Sequence, residues 1–299
     1  MEKRQFGQTD MYVSRLGVGL SEIGFAAVED AKAAEVLNIA LDNGINFLDT
    51  SACYNISEEL VGRTVAKRRS DYYLATKAGH VAGGYEGEEW TAKTIRDSID
   101  RSLKRMNTDY LDLVQLHSCS LEVLKRGEAI GALQAAQQEG KTRYIGYSGD
   151  NDAAMWAVES GLFDSLQTSF NLVEQKARYG LFDKAKEKGM GIIIKRPIAN
   201  SAWGADSSPS GYADEYFKRA KAMCEMGELP NEPDNRILLA LGFSFAHDAV
   251  DVAIVGTKTP KYMRANIEMV NEELPIDGET VKALHERYDA VGGDWQQLT

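Results

Sequence analysis

Cysteine is scarce and scattered in this chain. Cys53, Cys119 and Cys224 form no C-x-x-C pair and no short-loop framework. That excludes a disulfide-built scaffold and suits a reducing compartment. Long apolar runs are also missing. None approaches the roughly 18 residues of a membrane span, and Met1-Glu2-Lys3-Arg4 leads into polar residues rather than a signal-peptide core. The expected location is cytoplasmic, with no membrane partner. An excess of basic residues is absent too: the net charge is −11. This argues against sequence-independent nucleic-acid binding, which needs Lys and Arg to neutralise phosphates, and against docking on an anionic membrane. No His/Cys/Asp/Glu spacing suggests a metal site, and no G-x-S-x-G occurs. The glycine-rich stretch Gly17-Val18-Gly19-Leu20-Ser21-Glu22-Ile23-Gly24 has the first two glycines of a dinucleotide-binding fingerprint but places the third two residues late.

What remains is a composition that is 43% apolar and 26% charged over 299 residues, which describes a globular protein. The length allows one large α/β domain or two ordinary ones. The first 15 residues read as a hairpin, Arg4-Gln5-Phe6, a turn over Gly7 to Asp10, then Met11-Tyr12-Val13. Strand and helix signals then alternate. Short apolar runs lie at 15–19, 45–49, 72–77, 112–117, 143–148, 165–170, 191–196 and 251–255. Helical patterns lie at 30–43, 57–68, 91–107, 121–139, 151–160, 174–188 and across 212–246, and two more follow at 260–270 and 277–290. In one of them Thr91 is placed to cap, and Ile95, Ile99, Leu103 and Met106 form one apolar stripe.

Eight strand–helix units predict a closed parallel (β/α)8 barrel of the TIM type, with an open doubly wound sheet as its rival. The barrel is favoured because the units continue without a composition break, so residues 1–299 are expected to form one domain. The irregular stretch Asn200–Pro233 holds three of the six prolines and is too long for an ordinary connection. It reads as a long loop insertion after the seventh barrel strand, on the rim.

Four residues stand out at the ends of these runs. Asp49 closes the second run, Lys77 the third and His117 the fourth, while Tyr54 lies in the loop after Asp49. In a parallel barrel all four converge at the carboxyl-terminal rim, where barrel active sites lie. A free phenol ionises near 10, a neighbouring ammonium stabilises the phenolate, a carboxylate keeps that ammonium charged, and an imidazole can hydrogen-bond a substrate oxygen. The group suits protonation of a carbonyl oxygen as hydride reaches its carbon. Taken singly each residue has a plainer explanation: a turn-forming Asp, a rim lysine, a core histidine, one tyrosine among 13.

The segment Asn46-Phe47-Leu48-Asp49-Thr50-Ser51-Ala52-Cys53-Tyr54, with Ser57-Glu58 and Gly62, resembles the aldo-keto reductase signature. So do Ala75-Thr76-Lys77, the run Asp109 to His117, and the opening Gly7-Gln8-Thr9 with Val13-Ser14-Arg15-Leu16-Gly17. The resemblance covers nearly the whole chain. It implies a barrel whose N-terminal hairpin plugs the bottom, and NAD(P)H-dependent reduction of a small-molecule carbonyl compound. It makes Tyr54 the general acid, with Lys77 lowering its pKa, Asp49 holding Lys77, and His117 orienting the carbonyl. It assigns the nicotinamide carboxamide to Ser148 and Gln167, with Asn171 close by. It also runs the cofactor along Lys195, Arg196, Pro197, Ile198 and Ser201. The segment opening at Gly256 and Thr257 suits a phosphate at a helix N-terminus, with Lys258 and Arg264 beside a 2′-phosphate and Asn266 on the adenine.

Some positions depart from the family pattern. Lys195 or Arg196 stands where relatives carry an aromatic residue under the nicotinamide. Gly149 replaces an asparagine, Tyr262 an arginine and Asn55 a glycine. NADP(H) is favoured because Lys258 remains, with NAD(H) as the alternative. A rival reading is a non-catalytic barrel of the same family that senses cofactor or binds a partner. A third is different chemistry on the same fold. The sequence does not indicate the oligomeric state.

Overall fold

The computed structural model describes residues 1–298. Ten strands are arranged as a two-stranded hairpin and a closed eight-stranded parallel barrel. The hairpin pairs β1 (Lys3–Gln5) with β2 (Tyr12–Ser14) antiparallel. The barrel runs β3 (Leu16–Gly19), β4 (Phe47–Asp49), β5 (Tyr73–Ala78), β6 (Leu111–His117), β7 (Thr142–Ser148), β8 (Ser165–Ser169), β9 (Gly191–Lys195) and β10 (Val252–Val255). Each strand pairs with the next, and β10 closes on β3 through Ala253–Leu16, Ile254–Gly17 and Val255–Val18. The barrel expected from the sequence is therefore the observed fold.

Strand periodicity explains where the core ends and the rim begins. Side chains two apart on a strand share a face. Phe47, Ala75, Leu113, Ile193 and Val252 form an apolar layer inside the barrel, and Phe6, Met11 and Val13 of the hairpin pack against it from below. Two residues further along four of these strands, the same inward face carries Asp49, Lys77, Gln115 and Lys195. The interior is thus apolar at the hairpin end and polar at the other. Gly17 sits where a Cβ would lie 2.9 Å from the Val252 side chain, so the packed lower layer leaves room only for glycine. The alternate face of the strands, including Leu48, Leu74, Val114, Leu116, Ile192 and Ile194, packs outward against the helices.

The helix Ala92–Met106 shows why the outer layer forms. Thr91 caps it by accepting the Thr94 backbone N–H, and Ile95, Ile99 and Met106 are buried. Three expected helices are interrupted. The stretch 57–68 is helical over Ser57–Thr64 and continues as a tighter 3-10 turn over Ala66–Asp71. The stretch 121–139 divides at Gly127, which adopts φ +76 between Leu121–Arg126 and Glu128–Gln138. The stretch 174–188 has a 3-10 turn over Lys176–Arg178 and becomes α-helical only at Leu181, after Gly180 with φ +93. The region 212–246 holds two helices, Asp214–Cys224 and Arg236–Phe245, so the insertion after β9 includes a helix of its own. No helix among the described residues is long and apolar enough to cross a membrane.

Candidate active site

Asp49, Lys77 and His117 lie at the carboxyl ends of β4, β5 and β6, as the chain pattern requires. The loop leaving β4 returns Tyr54 over them. It is held by hydrogen bonds from Tyr54 N to Ser51 O (3.0 Å) and from Ser57 N to Tyr54 O (3.0 Å). The short helix Ser21–Phe25 closes on this loop so tightly that a Cβ on Gly24 would meet Tyr54 O at 2.2 Å. The Lys77 ammonium bonds the Asp49 carboxylate and donates to Thr50 O at 3.0 Å. It lies 5.1 Å from the centre of the Tyr54 ring. The Tyr54 and His117 rings meet edge to face at 5.7 Å. The four residues singled out from the sequence are one cluster.

The electrostatics of the cluster follow from burial and charge. Burial opposes the charge on Lys77, but Asp49 and the Tyr54 oxygen outweigh it, and the lysine pKa lies above its ordinary value. Burial raises the Tyr54 phenol above the ordinary tyrosine value while Lys77 pulls against it. Lys77 thus lowers the phenol pKa as expected, but the net direction is upward, which keeps the proton on the oxygen. His117 is pushed well below 6.5 by burial first, then by the positive charges of Lys77, His80, Lys195 and Arg196. Its imidazole is neutral at physiological pH.

Two side-chain amides fix Asp49. Gln115 and Gln167 donate to its second oxygen at 3.3 and 2.8 Å, and Ser148 donates to Gln167 Oε1 at 3.1 Å. Ser148 and Gln167 are therefore physically continuous with the Asp49–Lys77 pair. Sequence reasoning missed Gln115, although it faces inward two residues before His117 on the same strand. Asn171 donates to Glu174 and to Arg196 O, at 3.2 and 3.0 Å.

Further round the rim is a second buried charge cluster. Lys195 pairs with Asp150 at 2.9 Å, and Asp150 also accepts Thr168 Oγ1 (2.7 Å) and the Ser169 N–H (2.8 Å). Burial pushes the Asp150 carboxyl up, but Lys195 and these donors overcome it and the net pKa is lowered. Lys195 itself is lowered, by burial and by neighbouring Arg196 despite Asp150. Arg196 turns to the chain's carboxyl-terminal end, donating to Leu298 O, with Ser169 Oγ and Tyr216 Oη each at 3.3 Å. Gln297 completes the arrangement by donating to Ser169 O at 2.6 Å. Neither Asp150 nor this tail was identified from the sequence. Asp150 immediately follows a strand-end loop glycine and carried a weak signal; the tail carried none, because its partners are far away in the chain.

The remaining cofactor candidates line the loops after β9 and β10. Pro197 is buried, and Ile198 and Ser201 are half-buried. Arg196, Ala199, Asn200 and Ser201 all have positive φ, so this loop is sharply coiled. The Asn200 side-chain amide nitrogen is buried without a hydrogen-bond partner, a donor available to a bound group. After β10, Gly256 and Thr257 lead to Thr259, whose N–H bonds Thr257 Oγ1 at 3.1 Å, and then to the helix Pro260–Glu268. Lys258 and Arg264 are exposed and pair with no described carboxylate, while Asn266 is buried. A cationic loop, an orphan amide donor and a helix N-terminus fit an extended anionic dinucleotide.

Comparison with known proteins points the same way. Residues 15–288 match the model of the Aldo/keto reductase family. L-galactose dehydrogenase of Arabidopsis thaliana is 30% identical, over 95% of this chain and 93% of that protein. The Bacillus subtilis oxidoreductase YqkF is also 30% identical, over 95% of both chains. Among solved structures, the holo form of an aldo-keto reductase from Bacillus halodurans superposes with a TM-score of 0.82 at 28% identity, covering 96% of each chain.

Proposed function

The chain belongs to the aldo/keto reductase family of oxidoreductases, and from that premise we propose that it interconverts a small-molecule aldehyde or ketone and its alcohol, with NADP(H) as the preferred cofactor. The observation that carries this reading is the Lys77 ammonium buried against Asp49 and set 5.1 Å from the centre of the Tyr54 ring. Bound nicotinamide supplies the hydride. The protein's part is to hold a carbonyl oxygen between two groups, the Tyr54 phenol and the neutral His117 imidazole. Tyr54 passes its proton to that oxygen, and the negative charge left on the phenolate is stabilised by Lys77. Asp49, clamped by Gln115 and Gln167, keeps Lys77 charged and in place.

Lys195, Ser201, Asn200 and the loop at Gly256–Lys258 would hold the dinucleotide, with Ser148, Gln167 and Asn171 near its nicotinamide end. Arg196, Pro197 and Ile198 shape the adjoining loop, and Asn266 would meet the adenine. The unpaired Lys258 and Arg264 favour an extra 2′-phosphate, hence NADP(H) over NAD(H). Since a relative is named for oxidation of L-galactose, sugars in the oxidative direction belong in the substrate panel beside aromatic aldehydes in the reductive one.

The test is stopped-flow loss of NADPH absorbance with that panel, with Tyr54→Phe as the control. The variant should lose roughly two to four orders of magnitude in turnover, the usual worth of a positioned acid, and keep its nucleotide affinity. Turnover equal to wild type would remove Tyr54 as the acid. Nucleotide binding without turnover of any compound would favour a cofactor-sensing barrel.

A further inference from the structure

His117 has two ring nitrogens, and only one form of the neutral ring can donate to a carbonyl oxygen. Its Nδ1 lies 3.2 Å from Ser51 Oγ and 3.4 Å from Cys53 Sγ. Its Nε2 makes no hydrogen bond to a described residue. Ser51 and Cys53 belong to the loop that also carries Tyr54, and Ser51 is 1% exposed. The Ser51 oxygen already accepts the Cys53 backbone N–H at 3.3 Å, and Ser51 Oγ and Cys53 Sγ are 3.2 Å apart. The hydroxyl proton must therefore go either to a thiol sulfur, a weak acceptor, or to the imidazole nitrogen, a strong one.

If Nδ1 carried the proton, the Ser51 hydroxyl would be left with only the sulfur. If Nδ1 is bare, its lone pair accepts the Ser51 hydroxyl proton and the Cys53 thiol donates to the Ser51 oxygen, so every donor on this side of the ring is satisfied and the Nε2–H is left for a bound oxygen. Burial raises the Cys53 thiol pKa, so the sulfur keeps its proton and stays a donor. Burial, and then the positive charges around His117, disfavour the form in which both nitrogens are protonated.

We propose that Ser51 and Cys53 are positioning residues that fix neutral His117 as the Nε2–H tautomer, so that the ring donates to the substrate carbonyl oxygen rather than competing for the Tyr54 proton. Donation at that oxygen rests on the carbonyl chemistry proposed above; the tautomer does not. The unprotonated form at Nε2 would accept a hydrogen bond from Tyr54 or from an alcohol and would repel a carbonyl lone pair. The pair thereby selects which partner the pocket holds in the reductive direction.

The test is two-bond 1H–15N correlation of 15N-histidine-labelled protein, tractable because the chain has four histidines, with His117 assigned by its loss in His117→Gln. Wild type should show a protonated Nε2 and a pyridine-like Nδ1. Ser51→Ala/Cys53→Val should give a mixed or Nδ1–H signal, and Ser51→Thr/Cys53→Val should restore Nε2–H. In kinetics the Ser51→Ala/Cys53→Val variant should lose roughly tenfold in kcat/KM, about the worth of one neutral hydrogen bond, with nucleotide affinity unchanged. A wild-type Nδ1–H signal, or an Nε2–H signal unaltered in the Ser51→Ala/Cys53→Val variant, overturns the assignment. The wild-type spectrum needs no second variant to fold. An Nε2–H spectrum in a protein that turns over no carbonyl or alcohol would sink the proposed activity and leave the tautomer standing.

Discussion

At the ends of β4 and β5, Lys77 lies between a carboxylate and a phenol; at the ends of β7 and β9, Lys195 lies between a carboxylate and a guanidinium. Lys77 is fully buried and Lys195 half-buried, and both pair with an aspartate. Their surroundings push them in opposite directions. Asp49 and Tyr54 raise Lys77, whereas burial together with Arg196 lowers Lys195. The first pair is closed: its aspartate is locked by two glutamine amides and its lysine faces one phenol. The second is an open network with like charges adjoining, Arg196 beside Lys195 and Glu174 beside Asp150, and burial and the Asp150 charge raise the Glu174 carboxyl. A closed pair suits support of a single proton donor. An open one can exchange partners when an anion arrives, which suits the side of the rim where cofactor is proposed to lie.

Removing each lysine in turn breaks the comparison most sharply. Lys77→Met should abolish most turnover, by roughly two to four orders of magnitude. It should also cost about 3–5 kcal/mol of stability by leaving Asp49 buried and unpaired, read by urea denaturation. Lys195→Met should cost less, about 1–3 kcal/mol, because each aspartate keeps two hydrogen-bond donors but the Lys195 side chain is 12% exposed where Lys77 is 1% exposed, so water can reach the charge left behind. Its larger effect should be on nucleotide affinity, weakened roughly tenfold, or about 1.4 kcal/mol, with kcat at saturating cofactor nearly unchanged. Equal stability losses would show that the two pairs are not differently built.

Acidification sharpens the contrast between buried neutral and buried charged groups. His117 and His247 are depressed by burial, and His285, again by burial first and then by His247 and Arg178, to about 4. The unfolded chain binds protons near pH 6.5 while these folded imidazoles do not. Stability should therefore fall as pH drops below about 6.5 and continue falling toward about 4. The urea midpoint in His285→Gln should depend less on pH over that window. The smallest effect expected is at the exposed end of the proposed cofactor track. Lys258→Ala should weaken NADPH by roughly fivefold, about 1 kcal/mol, and leave NADH unaffected. A parallel loss for both nucleotides would remove Lys258 from 2′-phosphate recognition.

The strand ends and the clustered tetrad were legible because they obey short-range rules. A period of two on a buried strand puts Phe47 and Asp49, or Ala75 and Lys77, on one inward face, so a change from apolar to polar marks the rim. Gln115 obeyed the same rule and went unread because an amide carries no distinctive chemistry alone. The helix breaks at Gly127 and Gly180 had a local signal in glycine itself. The stop at Thr64 had none, since Lys67 and Arg68 suit a helix as well as a turn. Glu58 was read as part of a motif. The structure shows it buried beneath β5, accepting Thr76 and Ser102 hydroxyls at 2.7 and 2.6 Å, contacts that depend on helix packing rather than spacing. The Asp150–Lys195–Arg196 network was illegible because the tail that completes it joins residues from both halves of the chain.

The two ends of the chain finish the two ends of the barrel. The hairpin at Phe6 and Met11 underlies its floor, while β10 must reach back to β3 and the residues up to Leu298 must settle on the rim. During synthesis the hairpin emerges before the barrel strands it underlies, but the strand that closes the wall and the segment that caps Arg196 emerge after the other barrel strands. A nascent chain will therefore hold an unpaired edge on β3 until β10 emerges, and a second on β9 once that strand is made, and stalled or prematurely terminated translation should yield an aggregation-prone sheet rather than a smaller working barrel.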